Sequence, residues 1–301
     1  MAYPKKPLRL FGLGLLFILL VAGSYYRDIV FITKENSLEI PAEITFHFDL
    51  DSIQSENIYV KRSAKDDSGI KVDGTQKTIT TTYNYPGYFK ARLLVDNKTV
   101  KTSDVFIKTD GWLATIANTY GYSYLKKETI VSNNSISIPR SFVKRKNVEK
   151  VTFHYFDQIN PMSGLDFALE SDLQTIKEAG NYTCDKVNIE IVGSNSSTII
   201  PISLSACSIQ EPIIIAGHEY FKTDTGGKFL VANSNSDLQQ FKLKVHGGIA
   251  KISINSKEEL RLLVKSSMGQ IAGLRFHFEG NGSIKNIKLT DTQEVTYVPS
   301  F

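Results

Sequence analysis

The 301-residue chain contains two cysteines, three methionines and a single tryptophan. So few cysteines exclude a disulfide-dense scaffold and a cysteine-built zinc site, which takes four ligands. No acidic residue precedes Asp28, and no apolar stripe runs through three turns at helical spacing. The formal net charge of +4 is carried by Lys5, Lys6, Arg9 and Arg27; beyond Arg27 the remaining 31 basic residues meet 31 acidic ones. A neutral chain has no surplus with which to neutralise phosphates. Its densest basic cluster, Lys144-Arg145-Lys146, is answered by Glu149, so no nucleic-acid partner is expected.

Catalytic signatures are equally scarce. His47, His154, His218, His246 and His277 stand singly, without the spacing of a metal pair, and neither a Gly-x-Ser-x-Gly elbow nor a phosphate loop occurs. Asp49, Asp51, Asp66 and Asp67, and further on Asp224 and Asp237, follow no calcium-loop spacing. No metal and no cofactor are therefore expected.

What is present begins with the run Leu10 to Tyr25, uncharged and preceded by Lys5, Lys6 and Arg9. It approaches the ~17 to 25 residues that cross a bilayer, with Tyr25 and Tyr26 where interfacial aromatics belong. The flanking cations keep the N-terminus cytoplasmic and place the rest outside a cytoplasmic membrane, periplasmic or at the cell surface. Residues 1–27 thus read as a retained anchor. The alternative is a signal segment cleaved near Val21-Ala22-Gly23-Ser24, which would leave the protein secreted. In such a compartment Cys184 and Cys207 can pair, because the strand-like runs between them fold back as a hairpin and bring the ends together.

From Ile40 onward the apolar pattern is short and alternating, punctuated by turn residues, which predicts an all-β protein. Ile44, Phe46, Phe48 and Leu50 fall on one face of the first run, and Asp73-Gly74 and Asp96-Asn97-Lys98 mark turns. Six or seven strands over residues 37–110 have the density of an immunoglobulin-like sandwich. The series Pro41-x-x-Ile44-x-Phe46-x-Phe48-Asp49-Leu50, then Tyr83-x-Tyr85-Pro86-Gly87-Tyr88-Phe89, then Val105-x-Ile107-x-Thr109 resembles a PKD domain, although the family's Trp-Asp-Phe-Gly-Asp-like tail is absent. Residues 111–127, Tyr-rich and without firm periodicity, read as a linker. Around eleven further strands over 128–292 suit a two-sheet jelly roll. The ending Gly269-Gln270-Ile271-Ala272-Gly273-Leu274 through Gly282-Ser283-Ile284 resembles the closing hairpin of concanavalin A-like and laminin G-like sandwiches.

That resemblance implies an architecture more than a ligand. Glycosidases on this fold carry alternating carboxylates on one strand. Glu170-Ser171-Asp172 begins such a series, but Gln174 and Thr175 stand where the last carboxylate belongs. The expectation is therefore a non-enzymatic binding or adhesion protein. It would recognise a glycan or envelope component through Trp112, Tyr220 and Asp224, aromatics offering stacking faces beside a polar loop. The alternatives are a carbohydrate-active hydrolase with an unrecognised site, or a structural or sensory partner of another envelope protein.

Overall fold

A computed structural model describes residues 29–35, 40–51, 53–63, 66, 68–118, 121–139, 142, 150–156, 162–175, 186–204, 210–226, 230 and 238–291. The apolar run 10–25, the basic cluster 144–146, Cys184 and Cys207 lie outside them. No helix among the described residues is long and apolar enough to cross a membrane. The chain divides into two compact units, one formed by residues 1–37, 42–82 and 89–105, the other by 38–41, 83–88 and 106–301.

In the first part of the chain, β1 (Phe31–Glu35), β2 (Ala42–Phe48), β3 (Ile58–Lys61), β4 (Ile70–Val72), β5 (Thr78–Tyr83), β6 (Gly87–Val95) and β7 (Lys98–Ile107) form two sheets. Their orders are β1-β2-β5 and β4-β3-β6-β7. The alternation read in β2 is realised, with Ala42, Ile44, Phe46 and Phe48 all buried and Phe46 stacked on Phe31 at 5.3 Å between centroids. The β6–β7 turn places Asp96 and Asn97 at φ +48° and +64°, the doubly left-handed turn whose twist matches a hairpin.

The second unit starts where a linker was expected. Residues 111–127 instead contain β8 (Trp112–Asn118) and β9 (Gly121–Lys126), an antiparallel pair leading into a single helical turn, α1 (Lys127–Ile130). The reason is a period of two that composition hides. Trp112, Ala114 and Ile116 alternate into the core, while the intervening positions and the β9 tyrosines take the other face.

The remaining strands are β10 (Val131–Ser132), β11 (Ser135–Ser137), β12 (Lys150–Tyr155), β13 (Phe167–Thr175), β14 (Lys186–Gly193), β15 (Ser197–Ser203), β16 (Ile213–Ile215) and β17 (His218–Tyr220). After these come β18 (Gln239–His246), β19 (Ile249–Ile254), β20 (Lys257–Leu263), β21 (Ile271–Glu279) and β22 (Gly282–Thr290). They build a seven-stranded sheet, β10-β11-β22-β13-β18-β19-β20, and an eight-stranded sheet, β17-β16-β15-β14-β21-β12-β8-β9. Consecutive strands β21 and β22 lie in different sheets, so the chain repeatedly crosses the sandwich, as a jelly roll requires. Phe153, Ile189, Phe276 and Phe278 from one sheet and Leu169, Leu173, Phe241 and Leu243 from the other share a single buried cluster. This half is thus an all-β, jelly-roll-like sandwich.

Candidate functional site

In the eight-stranded sheet the residues that alternate with the core positions line up across five neighbouring strands, most of them distant in sequence. Antiparallel register aligns Asn188, His277, Thr152, Thr115 and Tyr124 in one row, and Glu190, Arg275, His154, Leu113 and Lys126 in the next. Neighbouring strands lie about 4.8 Å apart, so side chains in a row reach one another.

Glu190 is the hub. Its Oε2 accepts from Arg275 Nη1 at 2.8 Å and lies 3.2 Å from His277 Nε2. Burial would raise the Glu190 pKa, but the Arg275 guanidinium and the His277 hydrogen bond outweigh it and hold the carboxyl well below the usual range. A carboxylate can only accept, so Nε2 of His277 carries a proton toward it, and Nδ1 lies 3.0 Å from the Thr152 hydroxyl. The three side chains form a hydroxyl–imidazole–carboxylate line, the arrangement by which one group orients an acid–base group toward another. The His277 side chain retains 38% of its exposure, whereas Glu190 retains 9%. The imidazole is therefore reachable, and its orienting carboxylate is not.

A second pair lies beside the first. His154 Nε2 is 2.7 Å from the Thr115 hydroxyl, while its Nδ1 is buried without a hydrogen-bond partner. Burial, reinforced by the nearby Arg275 and His277, pushes its pKa well below the ordinary value near 6.5, so His154 is neutral. The corner Tyr83–Tyr88, which belongs to the second unit, lies along this face. The Pro86 carbonyl accepts from Arg275 Nη2 at 2.8 Å, the Asn84 carbonyl accepts from the Tyr124 hydroxyl at 3.1 Å, and the Tyr85 ring meets those of Tyr122 and His154. Burial and the Tyr122 hydroxyl raise the Tyr85 pKa, which keeps that phenol protonated.

Below Arg275 the Phe156 ring sits 4.9 Å from the guanidinium, and Gly273 leaves the room it needs, since a Cβ there would come within 2.3 Å of that ring. Among the described residues no three His, Cys, Asp or Glu side chains converge as metal ligands.

The residues singled out from sequence are not brought together. Trp112 is 3% exposed and packs between Tyr155 and Phe276 in the core, so it presents no stacking face. Tyr220 sits on β17, at the opposite end of the sheet order from Trp112 on β8. It is 8% exposed, and its hydroxyl donates to the Leu263 carbonyl. Asp224 is exposed, but its carboxylate caps a turn by accepting from the Phe221 amide at 2.8 Å. Glu170 and Asp172 belong to the other sheet, where Glu170 pairs with Lys242 and Asp172 accepts from Asn286. Of the residues that do converge, His154 and His277 stand singly in the sequence, and Thr152, Glu190 and Arg275 belong to no motif in it.

No family model and no curated protein matches the chain, so the PKD likeness rests on its sequence motif alone. Solved structures resemble it in strand arrangement. One, from Parabacteroides distasonis and named as a glycosyl hydrolase, has 12% identity and a TM-score of 0.32, covering 56% of this chain and 92% of its own. An alginate lyase from a Corynebacterium species has 10% identity and a TM-score of 0.31, covering 62% and 96%. A further alginate lyase, of polysaccharide lyase family 7, has 10% identity and a TM-score of 0.30, covering 60% and 94%. The expectation that the protein is not an enzyme is corrected here. Its premise, that no acid–base set exists, fails on the Thr152–His277–Glu190 line.

Proposed function

We propose that the second unit is a carbohydrate-active enzyme working on the outward face of its eight-stranded sheet. His277 is its acid–base group, and Glu190, Thr152 and Arg275 are the positioning residues. The observation that carries this reading is the hydroxyl–imidazole–carboxylate line with an accessible imidazole at its centre. Carbohydrate is the ligand class because the polar rows run into the tyrosines of β9. A sugar ring asks for both hydrogen-bond partners and flat apolar faces, and Tyr122 is 40% exposed. The anchor in residues 1–27 and a first unit serving as a PKD-like spacer belong to the same proposal, which sets the enzyme outside a cytoplasmic membrane.

The test is turnover of a polysaccharide panel by the full chain, followed as new reducing ends or as unsaturated sugar ends. Loss of a positioned acid–base group costs roughly 10²- to 10⁴-fold, so His277→Ala should fall by at least that lower bound while its melting temperature holds. Thr152→Val should retain more activity and displace the pH profile. Undiminished turnover by folded His277→Ala, or no turnover of any polysaccharide by the parent chain, overturns the reading.

A further inference from the structure

The row that carries His277 is blocked on one side of that residue. Across the sheet it runs from Asn188 of β14 through His277 of β21, Thr152 of β12 and Thr115 of β8 to Tyr124 of β9. The Tyr85 ring lies 6.0 Å from the His154 ring on β12 and 4.7 Å from the Tyr122 ring on β9. His154 and Tyr122 flank β8 on either side and sit in the rows before and after this one, so the Tyr85 ring stands over Thr115. Thr115 beneath it is 2% exposed, whereas the His277 side chain, two strands away, retains 38%.

The corner that carries Tyr85 is held on both sides of the ring. The Asn84 carbonyl accepts from the Tyr124 hydroxyl, and the Pro86 carbonyl accepts from Arg275 Nη2. Pro86 also confines the Tyr85 backbone to extended conformations. Two residues further on, Tyr88 packs with Phe106 against Phe156, Val192 and Ala272. A segment tied at three points is a fixed wall, not a lid. From His277 on β21 to the ring over β8 is two strand spacings, about 10 Å. A disaccharide fills that length, and a longer chain following the row meets the ring.

We infer that the enzyme acts at the end of a polysaccharide chain and that Tyr85 is the residue that determines this. One end of the polymer lodges between His277 and the Tyr85 ring, and the rest leaves past Asn188. The inference rests on the proposed acid–base role of His277 and adds the mode of cleavage, in which mono- and disaccharides are released in succession.

The experiment takes a polysaccharide that the full chain turns over, and follows product size from the earliest times and viscosity against the number of new chain ends. The parent should release mono- and disaccharides from the outset, with viscosity falling slowly for each new end. Tyr85→Ala removes the wall, so its early products should shift to longer oligosaccharides and its viscosity should fall faster for each new end. Tyr85→Phe keeps the ring and should keep the parent's products. Where Tyr85→Ala does not fold, Tyr85→Leu, which retains an apolar contact but lowers the wall, carries the same expectation. Long oligosaccharides among the parent's first products overturn this inference alone and leave the proposed activity standing. Parental product sizes from a folded Tyr85→Ala or Tyr85→Leu, or a shift in Tyr85→Phe equal to that in Tyr85→Ala, also overturn it. Absence of turnover by the parent overturns both readings.

Discussion

On the eight-stranded sheet the titratable side chains that alternate with the core are drawn together and buried, Glu190 against Arg275 and His277, and His154 against Thr115. On the seven-stranded sheet the same alternation leaves Lys242, Lys244, Lys251 and Arg261 exposed, with like charges side by side. Both faces follow from the period of two, and they differ in dielectric. A buried charge must be paired because the interior screens nothing, while an exposed row costs little because water and salt screen it. One face therefore stakes stability on its polar groups, and the other merely tolerates them.

The largest expected effect comes from unpairing the buried hub. Arg275→Met keeps an unbranched stem against Phe156 but leaves the Glu190 carboxylate buried without its guanidinium, which costs about 3–5 kcal/mol in urea or thermal unfolding. Replacing Arg261 on the other sheet by Met should change stability far less. Equal losses at the two positions would erase the contrast.

A smaller effect appears on acidification. In the fold the His154 imidazole lies below its ordinary value near 6.5, so it stays neutral while the unfolded chain takes up a proton. Stability therefore falls as pH drops through that value. Glu190 extends the trend: its carboxyl stays ionised in the fold, and below about 4.5 the unfolded chain gains the proton instead. Melting temperatures between pH 7 and pH 5 should decline for the parent and be flatter for His154→Gln, which cannot ionise. A parent that is flat across that window would show that His154 is not held neutral.

The all-β fold was legible because strands such as β2 and β18 alternate cleanly, with Gln239, Phe241, Leu243 and Val245 inward and Lys242 and Lys244 outward. β8 and β9 were not legible. A strand whose outward face carries Thr, Ala and Tyr shows little contrast with its inward one, so the period is present without its usual polarity. The site was hidden for a different reason. Glu190, Arg275 and His154 come from β14, β21 and β12, adjacent in the sheet but not in sequence. The available signal was a titratable residue flanked by core apolars within one strand, as in Ile189-Glu190-Ile191 and Leu274-Arg275-Phe276-His277-Phe278.

The smallest expected effect is also the one of opposite sign. Lys244 stands between Ala168 and Lys251, so its charge gains nothing from the first neighbour and is repelled by the second. Lys244→Thr removes that repulsion and supplies a β-branched residue suited to a pleated, half-exposed surface, so it should stabilise the chain by about 0.2–1 kcal/mol. The gain should shrink as salt rises, because screening already weakens the repulsion in the parent. A conservative exposed substitution with no electrostatic origin would show no such salt dependence. Thermal unfolding of parent and variant at low and high salt decides the matter. A destabilised variant, or a gain indifferent to salt, would mean that the opposed cations carry no strain, and the contrast between the two faces would then rest on the buried hub alone.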